Sequence, residues 1–360
     1  MMVLQMVSTL LYGDAVGNDV LALGEAIKEM GYETAIYTDA IDARLPEEVA
    51  RKADDLPDLG AEDVMIYHMA GGTRLNKVFA ELKCKKVMVY HNITPPEFFE
   101  GYDAVSKKMC QEGYEQLRWL SDKVDYCLAD SEQNKKDLIE NGFQCKIDVL
   151  PIVIPFEDYD KKPSEDIINR YKDGFVNILF VGRIVPHKKH EDVVKAFYEY
   201  KKHYNHKARL IFVGSGSSGE KYYRGLHRYI EELGVEDVVF PGHINFSEVL
   251  GFYHVADVFL CQSEHEGFCV PLVEAMYLNI PIIAYASTAI PGTLNGSGIL
   301  MDKKDPLMTA GMIHQLMTDE QLKKTVLENQ KERLADFDNE VVKKQFAEYF
   351  RNEILNIKKG

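Results

Sequence analysis

Apolar residues recur along this chain in two alternating rhythms. Short runs that are β-branched or aromatic and almost continuous stand at 2–7 (MVLQMV), 34–38 (TAIYT), 64–69 (VMIYHM), 86–91 (KVMVYH) and 126–130 (YCLAD). Runs of that length and composition read as strands covered on both faces. Amphipathic stretches separate them. In the first, Asp19 is expected to cap a helix carrying Val20, Leu23, Ile27 and Met30 on one face, and Gly31 stops it where a left-handed residue is favoured. At 149–166 three prolines and a charge cluster break the pattern and read as a linker. The alternation then restarts with strands expected at 176–182, 208–214, 237–242, 257–262 and 280–286, and with helices at about 191–203 and 219–233. A last amphipathic helix is expected over 339–357, apolar at Val342, Phe346, Phe350 and Ile354.

Strand–helix alternation of this kind predicts an α/β chain with parallel sheets. The linker divides it into two Rossmann-like domains, 1–155 and 156–336, with residues 337–360 as a terminal helix expected to cross back to the first domain. Two such domains are expected to face a cleft at the carboxyl edges of their strands, where open α/β folds bind ligands.

Charge narrows the partners. The 360 residues carry a formal charge of −15, and residues 1–150 hold 16 Lys and Arg against 27 Asp and Glu. That argues against nucleic acid, which needs a basic face, and leaves at most weak peripheral contact with an anionic membrane. The second half is closer to balance and better able to hold an anion. Six cysteines, without a C-x-x-C spacing, read as small buried hydrophobes in a reducing compartment. The apolar start lacks a basic leader and is too short to span a bilayer, so a cytoplasmic protein is expected, at most peripheral at the inner membrane face.

Five stretches carry candidate chemistry. In 181–197 (VGRIVPHKKHEDVVKAF), Gly182 turns the chain, and Arg183 and Lys188 stand in the loop that follows. Two cations there suit a diphosphate, Arg by forked hydrogen bonds and Lys as a point charge; a solvated basic loop is the competing reading. In 213–221 (VGSGSSGEK), Gly214 and its neighbours permit close backbone approach, but match neither dinucleotide nor P-loop spacing. The stretch 263–276 (SEHEGFCVPLVEAM) places Glu266 in a loop and Glu274 in the first turn of a helix begun at Pro271. Between them Gly267, Phe268, Cys269 and Val270 offer consecutive backbone N–H groups for phosphate or sugar hydroxyls. In the first half, Gly13 and Gly17 lie in a loop read as flexible, and His91 ends a strand beside the rigid Pro95-Pro96.

Together these residues resemble a retaining glycosyltransferase of family 4 with the GT-B fold, close to bacterial polysaccharide and O-antigen enzymes. The likeness covers nearly the whole chain and is strongest in 181–197, in the E-x7-E stretch from Glu266 to Glu274, and in 280–294. It implies a hexosyl unit moved from a UDP- or GDP-sugar to a hydroxyl of a saccharide or lipid-linked glycan, with configuration retained. Arg183 and Lys188 would hold the diphosphate with no metal and no other cofactor. Glu266 would contact the donor sugar, Glu274 the ribose, the amides of Gly267 to Val270 sugar and phosphate, and the backbone at His243-Ile244 the base. Gly17 would approach the diphosphate, and His91 would stand beside the transferring sugar. The sequence departs from the resemblance where "GDAVGND" has one glycine in place of an adjacent pair.

Rival readings remain distinguishable. A glycoside hydrolase would use the two glutamates as acid and nucleophile or base but leaves Arg183 and Lys188 without a task. A sugar-nucleotide epimerase or a phosphorylase of the same architecture differs in its product. A non-catalytic sugar-nucleotide-binding partner would bind without turnover. The loop 91–112, with Phe98, Phe99, Lys107 and Lys108, is a candidate acceptor pocket or membrane-edge patch.

Overall fold

The computed structural model describes residues 1–358 except Ser218 and His243. The elements follow in the order β1 (Val3–Leu10), α1 (Ala15–Glu29), β2 (Ile36–Ile41), β3 (Arg51–Lys52), β4 (Val64–Met69), α2 (Leu75–Glu81), β5 (Lys85–Tyr90), α3 (Ala104–Leu120), β6 (Tyr126–Ala129), α4 (Glu132–Glu140) and β7 (Lys146–Val149). After these come α5 (Phe156–Tyr159), α6 (Glu165–Tyr171), β8 (Val176–Val181), α7 (His190–His203), β9 (Ala208–Val213), α8 (Lys221–Leu233), β10 (Val238–Val239), α9 (Phe246–Val255), β11 (Val258–Cys261) and α10 (Val270–Tyr277). The chain closes with β12 (Ile282–Tyr285), α11 (Ile290–Leu294), β13 (Ile299–Met301), α12 (Pro306–Thr318), α13 (Glu320–Leu334) and α14 (Asn339–Tyr349).

Two compact units result, one of residues 1–96, 105–155 and 337–360, the other of 97–104 and 156–336. The first holds a seven-stranded sheet in the order β3-β2-β1-β4-β5-β6-β7, the second a six-stranded sheet in the order β10-β9-β8-β11-β12-β13. Every strand pair is parallel. This is the expected pair of Rossmann-like sheets. In both, the order reverses beside the first strand, so the loops after β1 and β4, and after β8 and β11, splay apart at the carboxyl edge and leave room for a ligand.

Helices form where apolar residues recur on one helical face, because each sheet face is sealed by the apolar stripes of the helices that cover it. In the first unit Leu23, Ala26 and Ile27 of α1 join Val342, Phe346, Phe350 and Ile354 in one buried cluster with Val3, Ile66, Val87 and Leu128 of the sheet. The last two of these tail residues lie in a single wider turn, Phe350–Ile354, that follows α14. The residues 97–104 belong with the second unit, where Tyr102 packs edge-on against Tyr222 and Phe99 is buried.

Three expectations need correction. Asp14, not Asp19, caps α1: its side chain accepts the N–H of Gly17, and Asp19 is buried within the helix. Gly17 accordingly sits in the first helical turn rather than in a flexible loop, where a Cβ would meet the Leu11 carbonyl oxygen at 2.3 Å. Glu274 lies beyond the first turn of α10, which begins at Val270 behind a left-handed Cys269. No described helix is long and apolar enough to cross a membrane, and all six thiols are free, four of them buried.

Candidate functional site

In the second unit the carboxyl ends of β8, β9 and β11 converge because the backbone there carries almost no side chain. Gly182 follows β8 and donates its N–H to Val213 at 2.9 Å. Gly214 follows β9, and a Cβ on it would stand 2.0 Å from the Gly182 carbonyl oxygen. With the two turns packed backbone to backbone, the next residues form a compact 3₁₀ turn, Pro186–Lys188, and a left-handed Lys189 at φ 52° leads into α7. The loop after β11 is hydrogen-bonded to this turn through the Glu264 N–H, which donates to the His187 carbonyl at 2.8 Å.

That link brings Lys188 to Glu266. The Lys188 ammonium donates to both Glu266 carboxylate oxygens, at 2.6 and 2.7 Å, with both side chains largely buried. Burial opposes the lysine charge, and the adjacent Glu266 more than offsets it, so the ammonium is held above its ordinary pKa. Arg183, earlier in the same loop after β8, stands exposed, with no ion pair among the described residues. Glu266 and its loop are held from the other side by the segment after β12. The Thr288 hydroxyl accepts the Glu266 N–H at 2.8 Å and donates to the Glu266 carbonyl at 3.0 Å, and Thr293 donates to the Phe268 carbonyl. The two threonines fix the loop Gly267–Val270, whose Cys269 adopts φ 72°.

Glu274 is separate from this pair. It is buried, and its two oxygens accept the hydroxyls of Tyr159 and Tyr253. Burial raises the Glu274 carboxyl, and the two tyrosine hydroxyls only partly counter it. The structure therefore brings Lys188 and Glu266 together at once and gives Glu274 a different, tyrosine-bound position one helical turn on. Of the proposed base contact, Ile244 is half-buried before the capping box of α9, and His243 lies outside the described residues. Phe98 of the 97–104 segment lies 6.0 Å from the His187 ring and 6.1 Å from that of His265, against the same turn and loop.

In the first unit His91 directly follows β5 with its side chain buried, and both ring nitrogens are engaged. Nδ1 lies 2.9 Å from Asp130 Oδ2, and Nε2 lies 2.9 Å from His68 Nδ1. His68 in turn reaches Gln5 Oε1 at 2.9 Å, while the Gln5 amide donates to the Val20 carbonyl. A polar chain thus runs from Gln5 within β1 through His68 near the carboxyl end of β4 to His91 and Asp130, which directly follow β5 and β6. Burial holds His68 well below its ordinary pKa. For His91 burial acts downward, but Asp130 together with Asp19 and Asp14 outweighs it and the net shift is upward. Burial also pushes Asp19 up to about 7. Neither Gln5, His68, Asp130 nor Asp19 was a sequence candidate for chemistry. In the second unit Thr288, Thr293, Tyr159 and Tyr253 were missed in the same way.

Residues 162–333 match the family described as Glycosyl transferases group 1. A D-inositol 3-phosphate glycosyltransferase of Corynebacterium jeikeium is 26% identical over 232 residues, 61% of this chain and 54% of the relative. The capsular polysaccharide biosynthesis glycosyltransferase CapM of Staphylococcus aureus is 28% identical over 242 residues, 62% of either chain. The match therefore spans between about half and two thirds of these relatives' length. Among solved structures, Anabaena HepE in complex with UDP-glucose superposes with a TM-score of 0.74 at 19% identity, over 98% of this chain and all of that one. A sucrose-phosphate synthase from Thermosynechococcus elongatus does so with 0.74 at 16% identity, over 98% of both. At such identities the likeness establishes the GT-B fold.

Proposed function

We propose, from the match of residues 162–333 to the group 1 glycosyl transferases, that this chain transfers a hexosyl unit from a nucleoside-diphosphate sugar to a hydroxyl of a saccharide or lipid-linked glycan, with retention at the anomeric carbon. The Lys188–Glu266 ion pair on a backbone-packed turn, with Arg183 exposed in the same loop after β8, is the observation that carries this reading. HepE, the structural neighbour, is bound to UDP-glucose, and CapM is named for capsular polysaccharide biosynthesis; both support a UDP-sugar donor and a glycan acceptor here.

The transition state of such a transfer carries positive charge at the anomeric carbon and negative charge on the departing diphosphate. Lys188 and Arg183 neutralise the departing charge, and the N–H groups of Gly267 to Val270 add dipoles fixed before the substrate arrives. These side chains take the place of a divalent ion on the diphosphate. Glu266, held by Lys188 and Thr288, receives a sugar hydroxyl as Lys188 turns toward the phosphate. Glu274 reaches ribose hydroxyls by exchanging a tyrosine hydroxyl for one of them, which leaves the carboxylate hydrogen-bonded throughout. Glu266 is committed to Lys188 and Glu274 to two tyrosines, so neither is given the nucleophile's role here: the acceptor attacks from the face the diphosphate leaves, and the phosphate oxygen takes its proton.

Proton NMR of the product checks both levels of the proposal. An α-linked UDP- or GDP-hexose should give an α-linked product. A β-linked product would contradict retention, and a free 1-phosphate sugar or an epimerised donor would replace transfer with phosphorolysis or epimerisation.

A further inference from the structure

Asp19, His68 and His91 meet in the first unit in a way that the transfer reaction does not require. His68 Nδ1 and His91 Nε2 are 2.9 Å apart, and Asp19 Oδ2 lies 3.9 Å from the first and 4.0 Å from the second. We propose that these three atoms form a binding site for one first-row divalent cation, zinc foremost, that ties α1 to β4 and β5.

Geometry makes the first case. A point equidistant from three atoms so spaced lies about 2.1 Å from each, the length of zinc bonds to imidazole nitrogen and carboxylate oxygen. Two histidines and one carboxylate are also a donor set suited to such an ion. The partners behind the three atoms make the second case. A histidine bound to zinc usually donates its other N–H to a carboxylate or carbonyl. His68 Nε2 faces Gln5 Oε1, an acceptor that cannot donate because the Gln5 amide nitrogen is committed to Val20. His91 Nδ1 faces Asp130 Oδ2. The remaining oxygen of Asp19 accepts the Val153 N–H at 3.0 Å, which aims Oδ2 at the two rings.

Charge makes the third case. Asp19 and Asp130 are both buried, and Asp130 Oδ1 has no hydrogen-bond partner among the described residues. Two buried carboxylates are compensated by one divalent cation between neutral imidazoles. Without the ion, a hydrogen must lie between His68 Nδ1 and His91 Nε2, so binding exchanges that proton for the metal. A second trio, Cys261, Glu266 and Cys269, has comparable spacing, but Lys188 already occupies both oxygens of its carboxylate. The ion would hold His91 and the turn after it, where Asn92 adopts φ 76°. It is not assigned to the donor diphosphate, and the site stands whether or not the chain transfers sugar.

The test uses the full chain, stripped with a chelator, dialysed against micromolar zinc, desalted and analysed for metal, with melting followed with and without zinc. About one zinc per chain and a higher melting temperature with zinc are expected. Asp130→Asn should weaken zinc binding by about 10- to 100-fold, and Asp19→Asn by at least as much, while circular dichroism stays that of the wild type. Wild type that retains no zinc and melts alike in zinc and chelator would overturn the site, and so would Asp19→Asn and His68→Gln chains that hold zinc as the wild type does. Should a variant fail to fold, the wild-type melting comparison decides by itself. Because metal content and melting are the readouts, an inactive preparation would count against the proposed transfer and leave this result intact.

Discussion

Replacing Lys188 with alanine should lower kcat by about 10²- to 10³-fold, the loss that follows removal of one preorganised group from developing negative charge. The expectation rests on position. Lys188 is the cation that the 3₁₀ turn after β8 delivers into a buried pair with Glu266. Alanine also leaves Glu266 buried without its ion partner, which costs roughly 3–5 kcal/mol where burial is complete. Stability and catalysis must therefore be read apart. Lys188→Ala combined with Glu266→Gln removes the stranded charge and should recover much of the melting temperature without recovering turnover. Steady-state kinetics on the double variant decide the matter: turnover within a few-fold of wild type would end the leaving-group role for Lys188. The variant Arg183→Ala provides a contrast, because Arg183 is exposed and makes no ion pair among the described residues. Its loss should raise KM and lower kcat while leaving stability unchanged.

Gly214→Ala should be the most damaging small substitution in the second unit. The added methyl would stand 2.0 Å from the Gly182 carbonyl oxygen and 2.6 Å from its carbon, where only backbone could give way. Overpacking against side chains typically costs about 1–3 kcal/mol, and a backbone obstacle relaxes less, so the loss should lie at or above the top of that range. Urea unfolding measures it. Gly225→Ala is the matched control, lying in α8 with nothing within 4 Å of the new atom. It should be neutral or stabilise by about 0.5–1 kcal/mol through a less flexible unfolded chain. Equal midpoints for the two variants would show that the two strand ends are not packed backbone to backbone.

The long strands and most helices were legible because burial on both faces writes itself as an unbroken apolar run. Val64–Met69 was bounded correctly for this reason. The strands β3, β7 and β13 were missed, being two to four residues long and partly exposed, so no run forms. Asp19 was misread as a cap because a buried aspartate inside a helix looks, in sequence, like one at its start. Its burial is explained by partners distant in sequence, the Val153 N–H on one oxygen and the His68 and His91 rings facing the other. Lys188 and Glu266 were found because each sits in a loop with distinctive neighbours, but their ion pair was not foreseen, since 78 residues separate them. Gln5 and His68 were overlooked inside strands read only for their hydrophobicity. A polar residue in a run otherwise wholly apolar was the available signal, for such a group must find a partner within the core. Thr288 and Thr293 gave no such signal, one standing in a loop and the other in a helix of five residues, too short to show a period.

Thermal melting of the wild-type chain against UDP-, GDP-, ADP- and dTDP-sugars tests the central claim most directly, namely that the Lys188–Glu266 turn holds a nucleoside diphosphate sugar. A ligand at a hundred times its Kd stabilises the folded state by about 2.7 kcal/mol. At least one of the four donors, UDP- or GDP-sugar foremost, should raise the melting temperature of the wild type, and the Lys188→Ala, Glu266→Gln chain should show no such rise. No rise with any donor, or an equal rise in the double variant, would contradict it.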